Sequence, residues 1–275
     1  MTVKEARKWA SSFLEKYGRE PRVADLLMQH LLRVDLADFL LVQQEKFEEW
    51  KTFEKWVREH AETGKPLEHF TGQAEFYSRT FRVTEHVLIP RPETEELIEA
   101  VKPLLLGSDV VVDVGTGSGI IPITFKKELP ELRMYATDIS ENALTIARVN
   151  AKNLEADVQF EQGHFLEPVM DVEIDVVISN PPYVPEFERE NLSEVVMHDP
   201  ELALFADDEG LAAYREIIEQ INNMKKLPRL VAFEIGHDQG ELVPGLIMTN
   251  FPQANVQVLQ DINGKDRIII WQNSA

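Results

Sequence analysis

Asn180-Pro181-Pro182-Tyr183 follows the apolar run Ile174-Asp175-Val176-Val177-Ile178-Ser179, and its residue types suit the handling of a planar nitrogen. Two consecutive prolines fix their own φ and drive the residue before each into extended conformations. The Asn180 side-chain oxygen and the Pro181 carbonyl can then accept both hydrogens of one NH2 group, while the Tyr183 ring offers a surface to stack on it. A nitrogen held in this way has its lone pair aimed at a methyl donor. Pro-Pro alone more often marks a turn that closes a strand. Asn before it and Tyr after it, at the mouth of an expected parallel strand, favour the chemical reading.

A second group of residues can hold the donor. Val110-Val111-Val112-Asp113-Val114 reads as a buried strand, and Gly115-Thr116-Gly117-Ser118-Gly119 turns the chain into the apolar run Ile120-Ile121-Pro122-Ile123, which should open a helix. Glycines at such a turn permit positive φ and close approach of a ligand to the backbone. A dinucleotide fingerprint needs its third glycine at position 120, which is Ile. The spacing Gly115-x-Gly117-x-Gly119 resembles instead the loop of S-adenosylmethionine-dependent methyltransferases. Arg133-Met134-Tyr135-Ala136-Thr137 should form the next strand and end in Asp138, whose carboxylate can accept both hydroxyls of a ribose. Asp138 and Ser140 are also the two candidates for capping the following helix. Val158-Gln159-Phe160-Glu161 leads to Gly163-His164-Phe165, where Phe165 is either a wall for adenine or an ordinary core residue.

With glycine loop, distal Asp and NPPY in this order, the chain resembles the release-factor glutamine methyltransferase family (PrmC/HemK). Leu88-Ile89-Pro90-Arg91-Pro92-Glu93-Thr94-Glu95-Glu96 is similar to that family's segment before the catalytic domain. Glu234-Ile235-Gly236 and Asp261-Ile262-Asn263-Gly264-Lys265-Asp266-Arg267 are similar to its C-terminal signatures. Two positions depart from the pattern: His164 stands where the family more often has Asp, and Lys226-Leu227-Pro228-Arg229 replaces a Pro-Gly-Gly turn.

The resemblance implies N5 methylation of the glutamine in the Gly-Gly-Gln motif of peptide chain release factors, with S-adenosylmethionine as donor, S-adenosylhomocysteine as product and no metal. It implies catalytic roles for Asn180, Pro181 and Tyr183, and a donor site formed by Gly115, Thr116, Gly117, Ser118, Gly119, Asp138, Phe165 and Asn180. The substrate side would comprise Asn180, Pro181, Pro182, Tyr183, Arg91 and Glu93, the last two from the segment that borders the site. From the residues alone, Thr94 and the neighbouring acids could simply start a helix. NPPY is also shared with nucleic-acid adenine N6-methyltransferases, and a ribosomal-protein glutamine is the nearest alternative protein substrate.

Composition is consistent with this picture. The chain has 275 residues, no cysteine and a net charge of −20. Residues 1–80 are close to neutral, so nearly all the excess acidity lies in residues 81–275. An acidic surface repels a bare polyanion, so no stable nucleic-acid binding is expected, and a basic protein partner suits it better. Absence of a signal peptide or bilayer-length apolar run points to a cytoplasmic protein without membrane attachment. The seven histidines show no ligand spacing, and Ser118 lies outside any nucleophile-elbow pattern.

Apolar residues recur at helical spacing in the first third: Val3, Ala6, Ala10, Phe13, Leu14; then Val23, Leu26, Leu27, Leu31; then Phe47, Trp50, Phe53, Trp56, Val57. This predicts a small helical bundle over residues 1–75, which the resemblance makes a substrate-docking domain, with its Trp and Phe residues packing between helices. Residues 76–95 should form a hairpin linker. Residues 96–275 alternate helices with short apolar strands at 110–114, 133–137, 157–161, 174–179 and 230–235, the pattern of an α/β domain with a parallel sheet covered on both faces. Val256–Leu259 and Arg267–Ile270 flank Asn263-Gly264, a hairpin signal that makes the last strand antiparallel, as in the class I methyltransferase (Rossmann-like) fold.

Overall fold

The computed structural model describes residues 1–273 and divides into two units. One comprises Met1–Gln73 with Leu192–His198; the other comprises Ala74–Asn191 and the chain from Asp199 onward.

The first unit is helical: α1 (Val3–Lys16), α2 (Arg22–Leu32), α3 (Leu36–Leu41), α4 (Trp50–Thr63) and α5 (Leu67–Thr71). Thr2 caps α1 by a capping box, its hydroxyl accepting from Glu5 N while the Glu5 carboxylate accepts from Thr2 N. Val3, Ala6, Ala10 and Leu14 meet Ala24, Leu27, Met28, Phe53 and Val57 in a closed apolar core. Trp50 contacts Trp9 edge-on with centroids 4.9 Å apart, and Trp56 lies 5.7 Å from Phe70, so the aromatic stripe packs between helices as expected. Helices α3 and α5 were not legible in the sequence, since five or six residues span too little of the helical period.

Next along the chain is the hairpin β1 (Gln73–Phe76) and β2 (Arg79–Arg82), turned by Tyr77 and Ser78 at φ 50° and 58° and belonging to the second unit from Ala74. Helix α6 (Pro92–Val101) follows, then β3 (Val110–Val114), α7 (Ile120–Glu128), β4 (Arg133–Asp138), α8 (Glu141–Asn153), β5 (Val158–Gln162) and β6 (Val176–Ser179). A short excursion after the motif contains β7 (Val184–Pro185), α9 (Glu201–Leu204), β8 (Phe205–Ala206) and the single turn α10 (Asp207–Gly210). The chain closes with α11 (Ala212–Asn222), β9 (Leu230–Glu234), α12 (Leu242–Asn250), β10 (Asn255–Gln260) and β11 (Asp266–Gln272).

Seven strands form one sheet in the order β10-β11-β9-β6-β3-β4-β5. Strands β9, β6, β3, β4 and β5 are parallel, while β11 is antiparallel to both β9 and β10. Central strands β3, β6 and β9 are buried throughout, as a sheet covered on both faces requires. One face packs Phe125, Leu97 and Ile98 and the other Tyr214, Ile218 and Trp271; each buried Leu, Ile or Phe among them contributes about 1.5–3 kcal/mol. The final hairpin turns over five residues, Asp261–Lys265, with the Asp261 carboxylate accepting from Asn263 N and Lys265 N. Among the described residues, no helix is long and apolar enough to cross a membrane.

Candidate active site

The glycine loop after β3, Asp138 at the end of β4 and Asn180 after β6 lie at strand C-termini, the edge where open α/β sheets bind ligands. They line one open cavity. Gly115, Thr116, Gly117, Ser118, Asp138, Phe165, Asn180, Pro182 and Arg91 all face this cavity. Gly119, Pro181, Tyr183 and Glu93 are absent from its lining. Gly119 serves packing: at φ +81° it caps α7, and a Cβ there would meet Ile123 and Ala147 at 3.0 and 3.1 Å.

Asp138 is held by the loop it faces. Its Oδ2 accepts from Gly117 N at 2.9 Å and its Oδ1 from Ser140 N at 2.9 Å. Each carboxylate oxygen keeps a further lone pair for a ligand hydroxyl. Burial raises the Asp138 pKa, and the two backbone N–H groups pull it back. Ser140, not Asp138, caps α8, accepting from Ala143 N at 3.2 Å, which leaves Asp138 for the cavity. Phe165, at φ 49°, both lines the cavity and packs on the core, so the two sequence readings of this residue are compatible. Val87, Ile120, Ile121, Ile139 and Phe165 give the cavity apolar walls fit for a flat heteroaromatic ring, beside a carboxylate fit for a diol. His164 also faces the cavity, with Nδ1 3.0 Å from Glu216 Oε1.

A residue with no sequence signal supports the loop from behind. Asn150 on α8 is buried, its Oδ1 accepting from Arg82 N at 2.7 Å and its Nδ2 donating to Arg82 O and Ser118 O at 3.0 and 2.8 Å. It joins β2 to the glycine loop. Asp113, just before that loop, is fully buried and its pKa is pushed up to about 7 by burial, with Asp138 adding to the rise and Thr116 opposing it.

The far side of the cavity is built around Asn180. Its Nδ2 donates to Thr94 Oγ1 at 3.3 Å, and Thr94 Oγ1 donates to Glu234 Oε2 at 2.7 Å. Thr94 lies in the first turn of α6, but its hydroxyl is turned to Glu234 and caps nothing; α6 starts with Pro92 at its first position and Glu93 and Glu95 in its first turn. The Tyr183 carbonyl accepts from Gln239 Nε2 at 3.2 Å, and the same Nε2 donates to Gly210 O at 3.2 Å. Burial foremost, then Glu234, pushes the Tyr183 phenol up to about 12, so it stays protonated at neutral pH.

Arg91 is engaged with the wall of the site. It donates to the buried Asp199 carboxylate, whose other oxygen accepts from Ile89 N at 3.1 Å. This pair ties the segment before α6 to Pro200, Leu202 and Ala203, which cover the cavity.

A mainly parallel seven-stranded sheet whose C-terminal strand is antiparallel, a glycine loop after its first parallel strand, an acid after the second and Asn-Pro-Pro-Tyr after the fourth defines a class I methyltransferase. A methyltransferase small domain model matches residues 93–205, and a PrmC N-terminal domain model matches residues 5–72. The release factor glutamine methyltransferase of Bacillus anthracis is 42% identical over 98% of each chain, and that of Bacillus subtilis is 43% identical over 98% of this chain and 96% of its own. The chain belongs to the release factor glutamine methyltransferase family. Among solved structures, the N-terminal domain of human METTL16 in complex with SAH shares the fold, with a TM-score of 0.51 and 17% identity over 80% of each chain.

Proposed function

We propose that this chain transfers the methyl of S-adenosylmethionine to the side-chain N5 of the Gly-Gly-Gln glutamine in peptide chain release factors. The observation that carries the reading is the Asn180 amide at the cavity edge, its nitrogen occupied by Thr94 and its oxygen left to accept, in a chain that matches release factor glutamine methyltransferases end to end. Bound donor supplies an electrophilic methyl on a sulfonium. Asp138 would hold its ribose, Gly115–Ser118 its remaining polar groups, and Phe165 and Ile139 its adenine.

An amide nitrogen is a poor nucleophile because its lone pair is shared with its carbonyl. Asn180 Oδ1 and Pro181 C=O accept its two hydrogens, which favours the pyramidal, partly positive nitrogen of the transition state. The Tyr183 ring steadies the acceptor plane and the cationic methyl. With donor bound, the N–CH3 bond would form as the S–CH3 bond breaks, S-adenosylhomocysteine would leave, and the nitrogen would then pass one proton to water. No side chain in the motif needs to ionise, so orientation and electrostatics do most of the catalysis. Residues 1–75 provide the docking surface for the body of the factor.

Asp138→Ala should weaken donor binding by about 1–3 kcal/mol through loss of charge-assisted hydrogen bonds. Calorimetry with unchanged affinity would remove Asp138 from the donor site. For the acceptor, enzyme incubated with labelled donor, a release factor and duplex DNA should place label in the protein. Label in DNA at a matching rate, abolished by Asn180→Ala, would move the reading to adenine N6.

A further inference from the structure

We propose that Glu234, acting through the Thr94 hydroxyl, dictates which end of the Asn180 amide faces the acceptor, and is therefore a positioning residue for methyl transfer. The inference rests on the reading that Asn180 Oδ1 receives a hydrogen of the acceptor amide. Glu234 and Thr94 are each only 1% exposed, come from β9 and α6, and are joined by the 2.7 Å hydrogen bond from Thr94 Oγ1 to Glu234 Oε2.

The direction of the bonds follows from counting protons. A hydroxyl has one proton, and a carboxylate can only accept. Thr94 therefore spends its proton on Glu234 and presents a lone pair to Asn180. Only an N–H satisfies that lone pair, so Nδ2 turns toward Thr94 and Oδ1 is left for the cavity, in agreement with the 3.3 Å contact from Asn180 Nδ2. An amide turned the other way would set Oδ1 against the Thr94 lone pair and NH2 against the NH2 of the acceptor. Burial at both Glu234 and Thr94 makes an unsatisfied or repelled group costly, which is what gives the relay its authority.

Protonation of Glu234 would release this constraint. A neutral carboxyl can donate to Thr94, freeing the hydroxyl proton to point at Asn180 and making the reversed amide acceptable. The charged and titratable groups around Glu234 are Arg267 on β11, Glu93 on α6, and Tyr183 beside the motif; Tyr214 on α11 donates its hydroxyl to the Glu234 backbone carbonyl at 2.8 Å. Burial raises the Glu234 pKa to about 7, with Glu93 adding and the Thr94 hydrogen bond, the Arg267 charge and a weaker direct hydrogen bond from the Asn180 amide opposing; that direct bond also needs Nδ2 on the Glu234 side, so it sets the amide in the same sense as the Thr94 relay. The carboxylate is the orienting form, so the methyl-transfer rate should rise with pH through about 7.

The test is single-turnover methyl transfer to a release factor across pH 5.5–9 for the full-length protein, with donor affinity measured alongside by calorimetry. Thr94→Val and Glu234→Gln, both close to isosteric, should lower the rate above pH 8 by roughly 10- to 100-fold, keep donor affinity, and lose the rise near neutrality. Thr94→Ser, which keeps the hydroxyl, should restore both rate and pH profile. Wild-type rate and profile in Thr94→Val, or an equal loss in Thr94→Ser, would overturn the relay and reduce Thr94 to a packing residue. Asn180→Ala separates the two levels: if it is slow while Thr94→Val is not, the relay fails and the amide clamp stands; if it is fast, the clamp itself fails.

Discussion

Asn180→Ala should lower the rate of methyl transfer by about 10²–10³-fold, the loss found when one oriented polar group is removed from a transition-state site. The amide oxygen is positioned for the acceptor nitrogen, while the donor side of the cavity is formed by other elements, Gly115–Ser118 after β3 and Asp138 at the end of β4. Donor affinity should consequently change little. Because Asn180 is only partly buried, its truncation leaves the core intact, and a melting temperature near wild type would show it. A folded Asn180→Ala protein that methylates at near wild-type rate in a single turnover would show that the clamp is not how the nitrogen is activated.

Gly210→Ala should be nearly as damaging, by a different route. Gly210 has φ +84°, and a Cβ there would lie 2.2 Å from the Tyr183 carbonyl oxygen and 2.9 Å from Gln239 Nε2. A methyl cannot fit against a backbone carbonyl at that distance, so either the chain at 210 moves or Tyr183 does. Both positions hang on one amide, since Gln239 donates to the two carbonyls and accepts from Gly236 N at 3.0 Å. Displacing the motif by an ångström can cost about 10²-fold in rate, and the strained backbone about 1–3 kcal/mol in stability. Single-turnover kinetics and urea unfolding measure the two separately. A rate close to wild type in Gly210→Ala would mean that the Tyr183 backbone does not need this anchor.

Local signals carried most of the fold. The strands of the central sheet are short apolar runs, the glycine loop is a turn signal beside one of them, and NPPY restrains its own backbone, so each can be read without its neighbours. Hydrophobic periodicity likewise located α1, α2 and α4. What could not be read is what depends on partners far along the chain. Thr94 and Glu234 are 140 residues apart and Asp199 and Ile89 110 apart, and a Thr in a helical first turn looks like a cap until its partner is seen. The resemblance puts Arg91 on the substrate side; its pairing with Asp199 also ties it to the cavity wall, a role with no local mark. Leu192–His198 groups with the helical unit although it follows the catalytic motif, and nothing in its composition announces that return. For Asp138 and Ser140, sequence left the capping role open between neighbours two residues apart, and the geometry of the first turn of α8 assigned it to Ser140.

The methyl should end on one atom, and peptide mass spectrometry reads it directly. A release factor incubated with the enzyme and a methyl-labelled donor should gain a single labelled methyl on the side-chain nitrogen of its Gly-Gly-Gln glutamine, and the Asn180→Ala enzyme should leave that peptide essentially unlabelled over the same interval. Unmodified Gly-Gly-Gln peptide with the label on another residue, or no label in the release factor under conditions where the donor is bound, would contradict the account.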